Sequence, residues 1–437
     1  MRSAALAVIL AVTATAHADD ASRTWKKPIV GFRVRGPTKL RESVLPYLAR
    51  VRTGDLVGPA DVPRLERDLL TSELFESIAV TLEDAEGGVI VVATLDDKHS
   101  WIIAPTLFFL AGKKAFGVGF AENNLDGRDQ KVLLYGQIGT RDSLFYGALF
   151  DPAIRGGKWN ARLDVYLYQR VVDEYANPVD DPADFDIARI STSRYFGGGA
   201  LVGYNFRWWL VGDLRLRGAY VQFEDAHAPD GTPLPVPQDD GWDVSAQARL
   251  TIDARGRRFG VTWGPYLQLF VDQALPGFDD YGYTAALLRA YYSWRILDEH
   301  QLEVRTHINV GYKLPFHEEL VNGGIIDLRG YALEQFRGDT RGMWRAEYSV
   351  PITKWRFLAF RAVGFYDSAY MGFNFQRGDR DYLPSQTPGA SWFRSNVGGG
   401  LRVYVRNIVL PLLGFDIAYA LEGKHTEVYF EVGLTDF

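Results

Sequence analysis

At 437 residues and a net charge of −6, with acids and bases mixed throughout, the chain carries no basic footprint for nucleic acid. Cysteine is absent, which excludes a disulfide framework, a thiolate metal site and a thiol nucleophile. Aromatic residues make 14% of the chain and glycines number 44, yet past the N-terminus no stretch offers the roughly 20 consecutive apolar residues of a membrane helix. That combination is what a membrane β-barrel shows.

The N-terminus sets the compartment. Arg2 supplies a positive n-region, Ala4 to Thr15 an apolar run, and Ala16-His17-Ala18 an A-x-A cleavage site. Residues 1–18 therefore read as a signal peptide, and the mature chain is expected to begin near Asp19.

A short polar linker leads to a module over residues 26–97. Ile29 to Val34 is β-like and closes at Gly36-Pro37. A helix capped by Thr38 and limited by Pro46 is expected through Tyr47, and a second from about Ala60 to Leu70 with Leu65, Leu69 and Leu70 as its apolar stripe. Phe75 to Leu82 alternates as a strand, Glu86-Gly87-Gly88 turns, and Val89 to Leu95 returns. An unrelated small α+β domain would share this order. The glycine-led first strand, the Gly54-Asp55-Leu56 break and the Leu74-Phe75-Glu76-Ser77-Ile78 lead-in resemble a polypeptide-transport-associated (POTRA) domain. Strand edges of so small a sheet suit an extended client peptide joining by β-augmentation.

From about residue 100 to 437 the pattern is strand after strand. Trp242, Val244, Ala246, Ala248, Leu250 and Ile252 alternate with Asp243, Ser245, Gln247, Arg249 and Asp253. Leu302, Val304, Ile308 and Val310 oppose Glu303, Arg305, His307 and Asn309, and Ala161 to Leu167 repeats the scheme. Lipid outside and water inside demand this period of two. A soluble sandwich also alternates, but the export signal, the segment lengths and aromatics near segment ends favour a transmembrane barrel of about sixteen antiparallel strands. Arg141-Asp142 and Asp298-Glu299 read as tight periplasmic turns. Residues 171–190 and 225–241 read as long, acidic outer loops, whose carboxylates (Asp180, Asp181, Asp184, Asp186, Asp239, Asp240) are read as solvated rather than metal-binding.

Within a long loop at 313–342, expected between the eleventh and twelfth strands, lies GGIIDLRGY, residues 323–331. A cation beside a glycine and an aromatic makes sense if the loop folds back and Arg329 meets an acid on the inner wall. Gly330 then permits a tight turn or close approach, and Tyr331 packs and donates a hydrogen bond. Three later stretches follow in order: Arg345-Ala346-Glu347-Tyr348-Ser349-Val350-Pro351, Phe365-Tyr366-Asp367-Ser368-Ala369, and Ser395 to Leu401 (SNVGGGL) running into Arg402.

These four ordered motifs resemble those of the BamA/TamA superfamily of outer-membrane assembly factors (the bacterial surface antigen family), whose relatives include two-partner-secretion transporters. Ala369 stands where the family usually has glycine. The resemblance implies a sixteen-stranded barrel behind POTRA modules, here a single one in the periplasm. It implies that Arg329 pairs with Asp367 and Glu347 as a loop latch, with Gly330 and Tyr331 fitting the turn to the wall. At the C-terminus Val428, Phe430, Val432 and Leu434 alternate outward, and a terminal aromatic, Phe437, resembles the outer-membrane targeting signal, though off the parity of Leu434. Relatives open a lateral seam between first and last strands, and Gly433 fits a weakened strand there.

Function is accordingly expected to be assembly of unfolded β-barrel clients in the outer membrane of a Gram-negative-type cell, among its lipids and with periplasmic accessory proteins. The alternatives are a polypeptide transporter of the two-partner-secretion type and a loop-plugged pore. No catalytic set or cofactor motif stands out. His317-Glu318-Glu319 lacks a second ligand group at useful spacing and reads as a polar loop, so no metal is expected.

Overall fold

The structure, a computed structural model, describes residues 25–432 apart from 111–112, 179–180, 184, 259–260, 298, 325–326, 357 and 406–409. The signal peptide, Asp180, Asp184, Asp298, the two isoleucines of GGIIDLRGY, and Gly433, Leu434 and Phe437 lie outside the described residues. The chain divides into two compact units. The first runs to Trp101 and takes in Glu122–Lys131 and Asp151–Lys158; the second holds the remainder.

In the first unit β1 (Lys27–Arg35), β2 (Leu56–Val57), β3 (Phe75–Ala85) and β4 (Gly88–Asp97) form one sheet in the order β2-β1-β4-β3. β4 is central, parallel to β1 and antiparallel to β3, and its run of Val89, Val91, Val92 and Ala93 is fully buried, as an inner strand requires. Helices α1 (Leu45–Leu48) and α2 (Val62–Leu70) set Leu45, Leu48, Leu65 and Leu69 into the same core. Thr38 does not cap a helix. Its hydroxyl donates to Asp97 Oδ1 at 2.6 Å, which ties this stretch to the end of β4, and helical turns begin only at Glu42. Pro46 lies in the first turn of α1, where its missing N–H costs nothing, and does not end the helix.

The second unit is built from β5 (Trp101–Leu110), β6 (Lys113–Leu125), β7 (Gln130–Gly139), β8 (Asp142–Asp151), β9 (Trp159–Tyr175), β10 (Ile187–Arg207), β11 (Leu210–His227) and β12 (Gly241–Asp253). There follow a short arm β13 (Gly256–Arg258), then β14 (Val261–Ala274), β15 (Thr284–Ile296) and β16 (His300–Tyr312). After the loop pieces β17 (Leu320–Asn322) and β18 (Phe336–Gly338) come β19 (Thr340–Trp355), β20 (Leu358–Gly372), β21 (Ser391–Val405), β22 (Leu410–Ala420) and β23 (Thr426–Val432). Setting aside β13, β17 and β18, sixteen strands follow one another antiparallel around a barrel. β23 meets β5 at Phe430↔Phe109, Glu431↔Phe108 and Val432↔Leu107, the two ends of the sheet.

The barrel is inside out relative to a soluble domain. On β11 Leu216 is 61% exposed and on β12 Leu250 is 40% exposed, whereas inward-facing Asp243 and Ser245 are buried. Leu163, Val165 and Leu167 likewise face out while Asp164 between them is buried. Val428 and Phe430 face outward on β23. Among the described residues no helix is long and apolar enough to cross a membrane. The strands overrun the expected boundaries of all three long loops, β11 continuing to His227. β9 continues to Tyr175 and β10 starts at Ile187, because Glu174 and Arg189 bury each other at the rim and keep both strands paired. The long loop ends at Asp339, since Thr340 already pairs with Val310 and Gly372.

An outward apolar face predicts a depth-dependent penalty for charge. Leu216→Arg, near the middle of β11, is expected to cost about 2–4 kcal/mol, read as a lowered unfolding midpoint in lipid vesicles. An unchanged midpoint would place this face away from hydrocarbon.

Candidate functional site

The loop 313–339, between the eleventh and twelfth barrel strands, brings Arg329 to the inner wall formed by β19–β22. The register places Arg345 opposite Asp367 and Glu347 opposite Phe365, so all four face the lumen on adjoining strands. Arg329 Nε donates to Asp367 Oδ2 at 2.7 Å and Nη2 to Asp367 Oδ1 at 2.8 Å, a bidentate fork. Its Nη1 lies 3.3 Å from Glu347 Oε2 and 3.2 Å from Asp416 Oδ2. The guanidinium carbon stands 3.2 Å from the centroid of the Phe365 ring, giving a cation–π contact on its remaining face. Arg329, Asp367 and Asp416 are all buried. Burial alone would lower the pKa of Arg329, but Asp367 first, then Glu347 and Asp416, raise it, so the side chain stays charged.

Two further cations close the charge balance. Arg345 Nε donates to Asp367 Oδ1 at 2.8 Å, and Arg402 reaches Asp416 through Nη1 at 2.5 Å and Nη2 at 2.8 Å. Three guanidinium groups thus face three carboxylates. Glycines make the room: a Cβ at Gly400 would lie 1.9 Å from Asp416 Oδ1, and one at Gly398 would lie 2.4 Å from the Phe365 ring.

Gly330 has φ +85°, a left-handed conformation, and a Cβ there would approach Ala420 N to 3.1 Å. Its N–H donates to Tyr429 Oη at 2.8 Å. Tyr331 Oη donates to Glu422 Oε2 at 2.7 Å, and Glu422 also accepts from Ser395 N and Oγ, both at 2.7 Å. Burial, then Glu422, raises the Tyr331 pKa, so the phenol remains a donor. Leu328 and Tyr331 pack with Phe336, Met343, Met371, Trp392 and Ala420. Ala369 is fully buried in the same cluster, so its methyl serves as packing.

Sequence reasoning missed Arg345, Asp416, Arg402, Tyr429 and Glu422. The first three share the inward parity of Glu347, Asp367 and Gly400, the one signal that could have drawn attention to them. It also missed that the loop is fastened a second time. Glu319 accepts from Arg380 Nε at 2.7 Å and Nη2 at 2.8 Å, and from Arg337 Nη1 at 3.0 Å. Arg380 belongs to the loop between β20 and β21, and reaches Glu174 Oε1 at 3.4 Å. Glu174 in turn accepts from Arg189 Nε at 2.6 Å. His317 Nε2 and Asp243 Oδ2 are 3.0 Å apart, and Arg217 donates to Glu318 Oε1 at 2.7 Å and Asp243 Oδ2 at 2.6 Å. Asp243, His317 and Glu318 could gather around a metal ion. The Arg217 guanidinium, bonded to both carboxylates, already supplies the positive charge there, so the cluster reads as an ion-pair node.

The seam strand touches this site through Tyr429 of β23, which accepts from Gly330 N–H. Phe430 and Val432 lie on β23 and pair with β5.

Removing Arg329 leaves buried carboxylates undercompensated, which costs about 3–5 kcal/mol. Arg329→Ala is therefore expected to accelerate amide exchange across residues 313–339, measured by mass spectrometry, while the strands stay protected. Arg329→Lys keeps the charge, loses the fork and should fall between. Unchanged exchange in the alanine variant would refute the latch.

Comparison with known proteins gives the site its setting. The Omp85 superfamily domain matches residues 124–435. Solved structures similar to the chain include BamA from Haemophilus ducreyi lacking POTRA domains 1–3 (TM-score 0.61, 13% identity, covering 92% of this chain and 84% of that one). CdiB from Escherichia coli (0.64, 15%, 92% and 76%) and CdiB from Acinetobacter baumannii (0.57, 14%, 93% and 74%) are also similar. At such identities these likenesses speak for the fold alone. Among curated protein sequences none matches. With the family domain spanning most of its length, the chain belongs to the Omp85 superfamily, non-enzymatic proteins of the Gram-negative outer membrane that insert or transport polypeptides.

Proposed function

We propose that this chain is an outer-membrane assembly factor that inserts unfolded β-barrel clients at its own seam. The four-stranded domain at 26–97 acts as a single periplasmic POTRA module that receives the client. Outer-membrane lipid surrounds the apolar face, and periplasmic accessory proteins deliver substrates. The signal peptide at 1–18 and a targeting signal ending in Phe437 bring the chain there.

The observation that carries this choice over transport is the loop held twice in the lumen. A polypeptide crossing through the lumen would have to displace a loop held at Arg329 and again at Glu319, with many buried charges exposed at once. β23 and β5, the last and first strands of the barrel, meet at this seam. A client strand that replaces the β23–β5 pairs with its own keeps every backbone group bonded, as hydrocarbon requires. Insertion leaves the loop latched; transport through the lumen does not.

Among the described residues β3 is an edge of the small sheet, which suits an incoming extended segment. In the same reading Arg329, Gly330, Tyr331, Glu347 and Asp367 hold the lumen shut while the seam works.

The test uses liposomes, an unfolded foreign barrel protein and protease protection. The chain should accelerate insertion, and deletion of residues 26–97 should abolish the effect. Because the protein has no cysteine, Leu107→Cys with Val432→Cys allows the seam alone to be cross-linked. Cross-linking should stop insertion and its reversal restore it. Insertion that persists with the seam locked overturns the proposal. An inactive native chain that instead carries a secreted polypeptide across the liposome would establish the transport reading.

A further inference from the structure

The wall across from the latch holds a cavity of about 270 Å³ lined by side chains of β9–β12, β14 and β15. Four of its lining residues are arginines: Arg162, Arg215, Arg249 and Arg289. Their carboxylate partners number two. Asp164 accepts from Arg162 Nε at 3.0 Å and also from Arg215, and Asp213 accepts from Arg249 Nε at 2.9 Å. Arg215 Nη1 also donates to Gln247 Oε1 at 3.2 Å. Arg289 has no carboxylate partner among the described residues and is exposed to the lumen. With Asp164 assigned to Arg215 and Asp213 to Arg249, the guanidinium groups of Arg162 and Arg289 are in excess. Asp272 accepts from Gln247 Nε2 at 2.8 Å but sits toward Arg217 and does not line the cavity.

The space is made by sequence, not left over from packing. The inward positions of β10 here read Gly199, Leu201, Gly203. A Cβ at Gly199 would lie 2.6 Å from Arg215 Nε, and one at Gly203 would lie 2.1 Å from Asp213 Oδ1. Glycine lets these side chains lie flat against the wall with the guanidinium groups turned to the cavity. Arg215 Nε is itself buried without a hydrogen-bond partner. At the latch arginines and carboxylates are equal in number; at this wall four arginines share two carboxylates.

We propose that this cavity binds a phosphate dianion, free or as the end group of a phosphomonoester. Two surplus guanidinium forks match two negative charges, and tetrahedral oxygens accept bidentate bonds from several directions at once. A single carboxylate would satisfy one surplus cation and leave the other. The site is independent of the seam and of the insertion reading.

The experiment is isothermal titration of the full-length protein in detergent at low ionic strength, where screening is weakest, with inorganic phosphate and with glycerol phosphate. Saturable binding is expected. Arg162→Gln with Arg289→Gln leaves both aspartates paired and should weaken it at least about tenfold. Arg194→Gln, which removes an exposed cation paired with Glu224 on the same strands, should leave binding unchanged. Circular dichroism melting checks folding; should the double variant fail it, Arg289→Gln alone is the test and should also weaken binding. Tighter binding of glycerol phosphate points to an end group, and equal or tighter binding of inorganic phosphate to the free anion. Absence of saturable heat with both probes, or equal affinity in the native and Arg289→Gln proteins, overturns the proposal.

Discussion

A charged side chain buried beside a barrel wall is tolerable only if its charge is matched there, and Arg329 is the point at which this loop meets that condition. Desolvating a guanidinium is costly, and one opposing carboxylate repays the cost only with good geometry and further hydrogen bonds. Here the fork to Asp367, the flanking Glu347 and Asp416, and the ring of Phe365 surround it. Arg345 and Arg402 then balance the extra acids. Neither the loop nor the wall would be stable in this form without the other. A loop lacking Arg329 would leave the wall acids undercompensated, and a wall lacking them would strand a buried cation.

The same constraint explains details that look unrelated along the chain. Gly398 and Gly400 yield space to Phe365 and Asp416, so the glycine run of β21 belongs to the ion site as much as to the strand. Gly330 lets the backbone come within reach of Ala420 and Tyr429, which puts its neighbour Arg329 at the right depth. Tyr331 then ties the turn to Glu422 beyond β22. Each of these is a short-range demand of the guanidinium's position.

The barrel was legible because alternation is a local signal. Leu163, Val165 and Leu167 against Asp164 and Tyr166 need only a neighbouring residue to be understood, and the strand count and the loop's place after the eleventh strand follow from repeating that step. The helix expected from Thr38 failed for the opposite reason: a distant acid, Asp97, claims its hydroxyl. Parity could say that Arg345, Asp416 and Arg402 face inward but not which of them meet, since that depends on register between strands. The network of Glu174, Arg189, Glu319 and Arg380 joins positions up to 206 residues apart in sequence. No local pattern marks it. The acidic and basic residues of these loops therefore look like ordinary solvated charges until the fold is in hand.

Charge matching also differs around the circumference, and this bears on how such a barrel can work. Between β19 and β22 the inward charges cancel around the loop's arginine, which makes that sector rigid. At the cavity bordered by β9 and β15 they do not cancel, and water or a counter-ion must fill the remaining need. The seam joins β23 to β5, the last strand of the barrel to the first. Movement concentrates where the least interaction energy is lost. By that reasoning the latched sector moves last, and on the insertion reading proposed above the loop anchor confines the opening to the junction of β23 with β5.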